Sequence, residues 1–530
     1  MKNLKNLKKK SERGQAIIII VFAFIGLVAM VGLVTDTGLV LIEYGKLKKA
    51  VDAASVAAAQ EYRPDPATGD LNTTAIQNAA LSFLQLNQSE TVNLDNLTIH
   101  TCEDVGADRP ALCNTDPIGH PEDNRKLVEV TASTNAQLGF LRVLGITDVT
   151  LTASSVGEAA TIDLVMIMDT SASMAFQTGS ETTATETTSD SDDDPSVCND
   201  DDSCQPMREV KLIAKEFVEK LIYFGYDRVA IIAMTSQTPN GDRDPVEVIP
   251  LSFTRNDILN GLSDVRVFEP RQCGDPYKDD LNEGSCRQYN SGVFASLNCP
   301  IFENQQDLPT QNPSSCPSSN IGGALLRAEA ALKGSNGLTE MRTQSLWVVV
   351  ALLGGPANAT DTPSGSPADE YKNGYCPINT FYTYPPYYEG PSWCRDSSPS
   401  SRHSYGDKIS YTHPITGEVS NISIYDASDF AKDKADNLAA SKTNSGVTIY
   451  TIGLGKQIQS RPKDRFGVEY SVADEPYSHA EDLLRYIALE AGDGLNPDIN
   501  HGQYFYAPKS TSLSTIFDLI AQNIVTKISQ

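Results

Sequence analysis

The sequence predicts an α/β protein, with an apolar N-terminal helix and a small α+β region before a mostly parallel, helix-covered sheet. Three observations support this prediction. An uncharged apolar run occupies 16–34, alternating segments follow up to residue 160, and from 161 apolar strands alternate with amphipathic helices. Such alternation is typical of parallel sheets covered on both faces. The chain has 530 residues, enough for two or three domains.

The first 34 residues have the composition of a membrane anchor. The run "AIIIIVFAFIGLVAMVGLV" (16–34) has no charge and spans about 28 Å as a helix, close to the hydrocarbon thickness of a bilayer. Residues 1–15 carry the positive charges Lys2, Lys5, Lys8, Lys9, Lys10 and Arg13. Because positive residues stay in the cytoplasm, we expect a single-pass protein with a cytoplasmic N-terminus and an extracytoplasmic bulk. The alternatives are a cleaved signal peptide and cleavage near Gly14, as in pilin-like leaders.

Residues 35–160 are expected to form a small extracytoplasmic α+β region. An alanine-rich helix continues from the anchor over 36–62, and its small-residue face suits close packing. The segment "TTAIQNAALSFLQL" predicts a short helix. The alternating segments "KLVEVTASTNA" and "DVTLTASSVGEA" predict strands.

Four features at the start of the chain occur together. They are "RGQA" (13–16), the apolar span, Asp36 with Gly38, and "VDAASVAAA" (51–59). In this combination the region resembles the TadE/TadG-like proteins of Tad (Flp) pilus assembly. The resemblance implies a pilin-like region and a role beside other pilus or envelope proteins.

Residues 161–530 are predicted to form an α/β domain. Apolar strands such as "TIDLVMIMD", "SLWVVVALLGG" and "VTIYTIGLG" alternate with helices such as "MREVKLIAKEFVEKLIYF" and "NIGGALLRAEAALKG". In such folds ligands bind at the carboxyl ends of the strands. We therefore expect the functional residues at that edge.

The first strand of this domain ends in three oxygen-bearing side chains, Asp169, Ser171 and Ser173. A carboxylate and hydroxyls are hard ligands that suit Mg²⁺, Mn²⁺ or Ca²⁺. The segment "DLVMIMDTSASM" resembles the first strand and loop of von Willebrand factor A (VWA) domains. That resemblance implies a Rossmann-like fold and a metal-ion-dependent adhesion site, in which D-x-S-x-S binds a divalent cation.

The same resemblance implies the rest of the ligand set. The threonine of the family falls on Ser319 in "PSSNIGGAL", and its last aspartate falls on Gly354 in "ALLGGPAN". Asp361 or another loop carboxylate could substitute for that aspartate. The implied ligands are Asp169, Ser171, Ser173 and Ser319. The alternative is that "DTSAS" shapes the loop and caps a helix without a tightly held ion.

Three insertions, at about 175–205, 265–317 and 358–424, interrupt the domain on the face where the ion would bind. Eight of the ten cysteines lie in them. An even cysteine count without CxxC predicts disulfides in an oxidising compartment, although sequence does not fix their connectivity. The near neighbours are Cys102 and Cys113, Cys198 and Cys204, Cys273 and Cys286, Cys299 and Cys316, and Cys376 and Cys394.

The third insertion is rich in aromatic residues. Tyrosine-rich loops make good recognition surfaces for proteins, and their rings can stack on carbohydrate. The alternative is that the rings form a small core of the loop itself. The candidate partner-binding residues are Tyr382, Tyr384, Tyr387, Tyr388 and Trp393.

Composition and motifs narrow the function. A net charge of −26 argues against nucleic acid as a partner. The chain has no HExxH, nucleophile elbow or phosphate-binding glycine loop, so we do not expect an enzyme. The sequence favours a membrane-anchored extracytoplasmic adhesion protein that binds an acidic residue of its protein ligand through the cation. The alternative is a structural minor pilin-like subunit or scaffold with a metal-free VWA docking module.

Overall fold

Two units make up the chain, one on each side of the peptide between Ala159 and Ala160. The structure is a computed structural model. It describes residues 12–65, 68–87, 97–114, 125–175, 195–238, 244–269, 286–288, 300–302, 319–337, 341–357, 359–361, 408–412, 419–423, 427–443, 445–459 and 478–528.

The first unit is built on one long helix, α1 (Glu12–Gln60). The second helix, α2 (Thr73–Asn87), and a three-stranded antiparallel sheet pack against α1. The strands, in the order β1-β2-β3, are β1 (Thr98–Thr101), β2 (Lys126–Gln137) and β3 (Asp148–Ala159). The predicted short helix and both predicted strands are present.

The alanine-rich half of α1 packs closely, as its small-residue face predicts. Ala50, Ala54 and Ala58 are fully buried. A Cβ added to Gly157 of β3 would lie 2.1 Å from the carbonyl oxygen of Ser55. The other half differs, because the side chains of 16–31 are all exposed. This half of α1 is long and apolar enough to cross a membrane.

The second unit is an α/β fold. Six strands of the described chain form one sheet in the order β13-β12-β9-β4-β5-β6. All neighbours are parallel except β5 and β6. The strands are β4 (Ile162–Met168), β5 (Arg228–Ala233), β6 (Val246–Ser252), β9 (Leu346–Leu353), β12 (Thr448–Leu454) and β13 (Tyr504–Ala507).

Helices cover both faces of this sheet, so the predicted fold class is confirmed. Along β4, Leu164 and Met166 join one apolar core, and Val165 and Ile167 join the other. The first core includes residues of α4 (Met207–Leu221), α5 (Arg255–Asp264) and α9 (Leu513–Ile528). The second includes residues of α6 (Ile321–Leu332), α7 (Ala427–Ala439) and α8 (His479–Leu489).

Parts of the insertions have regular structure that the sequence did not indicate. The short helix α3 (Pro195–Cys198) lies at the end of the first insertion. Two antiparallel hairpins occur in the others. They pair β7 (Cys286–Gln288) with β8 (Pro300–Phe302), and β10 (Lys408–Thr412) with β11 (Val419–Ser423).

Two disulfides join near neighbours, Cys102 with Cys113 and Cys198 with Cys204. The second lies at the end of the first insertion. Both Cys198 and Cys204 are buried in the apolar core that contains Met174. The side chains of the other six cysteines are not among those that the structure describes.

Candidate metal centre

The predicted site begins where β4 ends. Strands β5 and β9 flank β4 and run parallel to it, so their carboxyl ends meet at one edge of the sheet. Asp169 follows β4 directly, and its backbone N–H donates to Leu352 O of β9 at 2.9 Å. Thr170 and Thr235, which follow β4 and β5, join their hydroxyls at 2.8 Å. The strand ends are therefore held together around Asp169.

The Asp169 carboxylate is almost completely buried, with 1% of the residue exposed. Its Oδ1 accepts the Ser171 N–H at 2.8 Å, and its Oδ2 accepts the Gly354 N–H at 2.6 Å. Burial raises the pKa of Asp169 above its ordinary value, although hydrogen bonds from Ser171 and Gly354 act in the opposite direction. A buried negative charge held by neutral donors is thus the main electrostatic feature of this edge.

Two of the predicted hydroxyl ligands are described with their side chains. Ser171 and Ser319 are both buried, at 4% and 6% exposure. Ser319 lies immediately before the N-cap of α6, where Asn320 Oδ1 accepts the Gly323 N–H at 2.9 Å. Ser173 belongs to a short 3-10 helix, Ala172–Ala175, and its side chain lies outside the described part. The hydrogen bond above brings Asp169 and Ser171 together, and α6 positions Ser319.

Gly354 has a structural role at the position where the VWA resemblance implies an aspartate. A Cβ there would lie 3.2 Å from Asp169 Oδ2 and 3.4 Å from Met174 Sδ. The glycine brings its backbone N–H to the carboxylate instead. The loop after β9 thereby contributes a neutral donor to Asp169 and no anionic ligand.

Asp361, the carboxylate considered as a substitute ligand, is already engaged. Its Oδ1 accepts Asn320 Nδ2 at 2.9 Å, and its Oδ2 forms an ion pair with Arg327 of α6. Ligation through Asp361 would have to compete with the Arg327 guanidinium. Sequence reasoning missed Arg327, because nothing in the pattern of α6 indicates a partner 34 residues away.

The chemistry of these residues suits a divalent cation, because all three are hard oxygen donors and one of them is a carboxylate. Asp169 would supply the charge, and Ser171 and Ser319 would supply hydroxyls. Within the described ranges, no group of three or more His, Cys, Asp or Glu side chains is arranged to hold a metal ion. The donor set is therefore weakly anionic.

The predicted aromatic recognition residues lie outside the described ranges. Tyr382, Tyr384, Tyr387, Tyr388 and Trp393 fall between 362 and 400.

Comparison with protein families gives one match. Residues 14–61 match the family described as "Putative Flp pilus-assembly TadE/G-like". The resemblance predicted from "RGQA", Asp36 and the alanine-rich helix is thereby confirmed for this region. A comparison with curated proteins found no match.

Solved pilus proteins are among the structures that the chain is similar to. The pilus adhesin SpaC of Lactobacillus rhamnosus GG is 13% identical, with a TM-score of 0.32, 78% of this chain covered and 36% of SpaC. The PilB minor pilin of Streptococcus sanguinis is 13% identical, with a TM-score of 0.32 and coverages of 82% and 78%. The vWF domain of the type V pili tip protein Mfa5 of Porphyromonas gingivalis is 13% identical, with a TM-score of 0.31 and coverages of 70% and 97%. These TM-scores are too low to assign a fold. The α/β architecture is therefore inferred from the strand order of the chain itself.

Proposed function

We propose that the protein is a membrane-anchored, extracytoplasmic adhesion protein associated with a Tad (Flp) pilus, and that its α/β unit recognises a protein ligand through a divalent cation. The observation that carries the proposal is the buried Asp169 carboxylate at the carboxyl edge of the sheet. A cation there would offset the negative charge that burial disfavours.

The anchor and its orientation are supported by the N-terminal segment. Residues 14–61 match a pilus-assembly family, and the apolar part of α1 is exposed. Six positive residues precede it, which favours a cytoplasmic N-terminus. Two disulfides beyond the helix support an oxidising compartment for the rest of the chain.

In this mechanism Asp169, Ser171, Ser173 and Ser319 would hold Mg²⁺, Mn²⁺ or Ca²⁺. A bound cation supplies an electrophilic position that an acidic side chain of the ligand can occupy. The backbone N–H of Gly354 fixes the orientation of the Asp169 carboxylate, and Asn320 fixes the loop that presents Ser319. The tyrosine-rich insertion is a second candidate contact, either with protein or with carbohydrate.

The first test measures the melting temperature of the full-length protein in detergent, with and without Mn²⁺, Mg²⁺ or Ca²⁺. At a cation concentration about 100 times Kd, binding stabilises the folded state by about 2.7 kcal/mol. We expect this shift in the parent protein and its loss in Asp169→Ala. The matched control is Asp518→Ala, because Asp518 is half-exposed and forms a surface ion pair with Lys220 at 3.0 Å.

The cation effect should depend on pH. Since burial raises the pKa of Asp169, protons compete with the cation at acid pH, and cation binding releases a proton. The shift should therefore grow as the pH rises through the raised pKa of Asp169, above 3.8. Cation-dependent capture of pilus proteins, lost in Asp169→Ala, would then support adhesion through the metal. Equal capture by parent and variant would refute it.

A second candidate function is a metal-free docking module on a structural pilin-like subunit or scaffold. The glycine at 354 and the pairing of Asp361 with Arg327 favour it, because both reduce the anionic ligands available. It predicts no cation-induced shift. It also predicts that residues 1–160 alone still co-purify with the pilus machinery.

A further inference from the structure

The connection between β2 and β3 packs directly against the apolar part of α1. We call residues 139–146 the 139–146 corner; it contains a 3-10 helix, Leu141–Leu144. Gly32 of α1 is buried beneath it, and a Cβ added to Gly32 would lie 2.8 Å from Phe140 Cβ. Gly32 is part of the uncharged run 16–34. The corner therefore reaches the level of the apolar span itself.

Asp36 fastens the corner to α1. Its carboxylate accepts backbone N–H groups from Gly139 at 2.9 Å, Phe140 at 3.0 Å and Leu141 at 2.7 Å. These donors belong to the start of the 3-10 helix, where N–H groups lack partners within the helix. Asp36 is 1% exposed, so both the charge and the donors are satisfied away from water. In a low-dielectric region such as the edge of a bilayer, buried polar groups must be hydrogen-bonded in this way.

The described outer surface of the corner is mostly apolar, although exposed Thr147 and Asp148 follow it directly. Val143 is 87% exposed, Ile146 49% and Phe140 47%, and Val149 follows at 39% on β3. Arg142 is exposed among them. Apolar side chains with an interspersed basic residue are typical of segments that lie at the boundary between lipid headgroups and acyl chains.

We propose that the 139–146 corner is a second membrane contact, which inserts into the acyl–headgroup boundary of the leaflet where the 16–34 span ends. The occupant is lipid because the exposed apolar surface continues that of the span across Gly32. Arg142 would meet lipid phosphate. Two contacts, one spanning and one interfacial, would fix the rotation of α1 about its axis. This proposal rests on the membrane anchoring in the proposed function.

The test places a tryptophan at three positions of the full-length protein, reconstituted in vesicles of phosphatidylcholine and phosphatidylglycerol. The variants are Val143→Trp in the corner, Phe24→Trp in the span, and Val105→Trp as the matched control. Val105 is 84% exposed and follows β1, whose Thr101 pairs with Val128 at the far end of β2 from the corner. Lipids brominated near the headgroup or deep in the chains quench fluorescence according to depth.

Relative to the parent protein, whose own tryptophans are Trp347 and Trp393, we expect the fluorescence added in Val143→Trp to be quenched by the headgroup-proximal bromine and that added in Phe24→Trp by the deep bromine. Neither bromine should quench the fluorescence added in Val105→Trp. Quenching of Phe24→Trp without quenching of Val143→Trp would overturn this proposal alone. A lack of quenching at both positions would overturn the anchor and this proposal together.

A second variant tests whether the hydrogen bonds to Asp36 hold the 139–146 corner against α1. Asp36→Ala should reduce quenching of the tryptophan in Val143→Trp, because the corner loses three hydrogen bonds to α1. The control is Thr37→Ala, which removes only an exposed hydroxyl that bonds to Leu33 O within the helix. Equal loss in both variants would contradict the role of Asp36.

Discussion

At the candidate metal centre, the missing side chain at Gly354 limits how many carboxylates could surround a cation. Gly354 lies opposite Asp169, with room for a Cβ only at a tight 3.2 Å from Oδ2. An aspartate there would place a second carboxylate at the site. Without metal the two carboxylates would repel one another, and with metal both would be ligands of the cation.

We predict that Gly354→Asp lowers the melting temperature without metal and increases the Mn²⁺-induced shift. Calorimetric titration of the variant should give tighter Mn²⁺ binding than the parent. Gly354→Asn is the matched control, because it has the same shape without the charge. Equal Mn²⁺ responses in the two variants would show that the position does not contribute a ligand.

At the other end of β4, the fully buried Asp163 is held by two arginines. Arg228 donates its Nε–H to Oδ1 at 2.9 Å and its Nη2–H to Oδ2 at 2.8 Å, and Arg342 donates to the same carboxylate. Burial alone would raise the pKa of Asp163, but the hydrogen bonds and charges of Arg228 and Arg342 lower it overall. This cluster therefore stabilises the ionised carboxylate inside the fold.

We predict that Asp163→Asn lowers the free energy of unfolding by about 3–5 kcal/mol, because it removes the buried negative charge that Arg228 and Arg342 share. The stabilisation is present above the unfolded pKa and is lost as pH falls through the lowered folded pKa, below 3.8. Denaturant titrations at neutral and acid pH would measure both effects. Asp518→Asn, at a half-exposed pair, should cost less than about 1 kcal/mol.

Single residues of the site were predictable to different degrees. Asp169 and Ser171 could be placed from sequence, because a buried strand running into polar residues marks the edge of a parallel sheet. The ion pair between Asp361 and Arg327 could not be predicted, because it depends on how the loop after β9 returns to α6. The hydrogen bond from Gly354 likewise involves a backbone group that no side-chain pattern reveals.

Among the elements, the buried strands and amphipathic helices were the most predictable. The run "LVMIM" (164–168) in β4 is apolar throughout because both faces of the strand are covered. Helix α8 was missed, although Ser478 caps it by accepting the Glu481 N–H at 3.2 Å. A serine followed three residues later by glutamate is a capping signal that could have identified it. The hairpin β7–β8 is too short for an alternating pattern to be recognised.

The contact between α1 and β3 depends on the absence of a side chain at Gly157. We predict that Gly157→Val destabilises the first unit by about 1–3 kcal/mol, because its Cβ would overlap Ser55 O. Valine favours strands, so propensity cannot explain a loss. Thr152→Val, at an exposed position of β3, is the control and should be neutral or stabilising. Thermal unfolding of both variants would test this, and equal stabilities would contradict it.

At the scale of the whole molecule, the two described disulfides belong to different units. The Cys198–Cys204 bridge closes a six-residue separation within the buried core of the α/β unit. We predict that replacing both cysteines by serine lowers the stability of that unit by at least about 2 kcal/mol. Replacing Cys102 and Cys113 should leave its unfolding unchanged. Calorimetry of the full-length protein would measure this, and a shift in both cases would show coupled unfolding.

The continuity of α1 has a mechanical consequence. Its 49 residues form one rod about 73 Å long, without a break between the apolar span and the part that packs on β3. The part of α1 beyond the apolar span, from residue 34 to residue 60, is about 39 Å long. With the span in a bilayer, a change of about 10° in tilt would swing the far end by about 7 Å. Membrane thickness and lateral force would thereby be transmitted as displacement of the first unit.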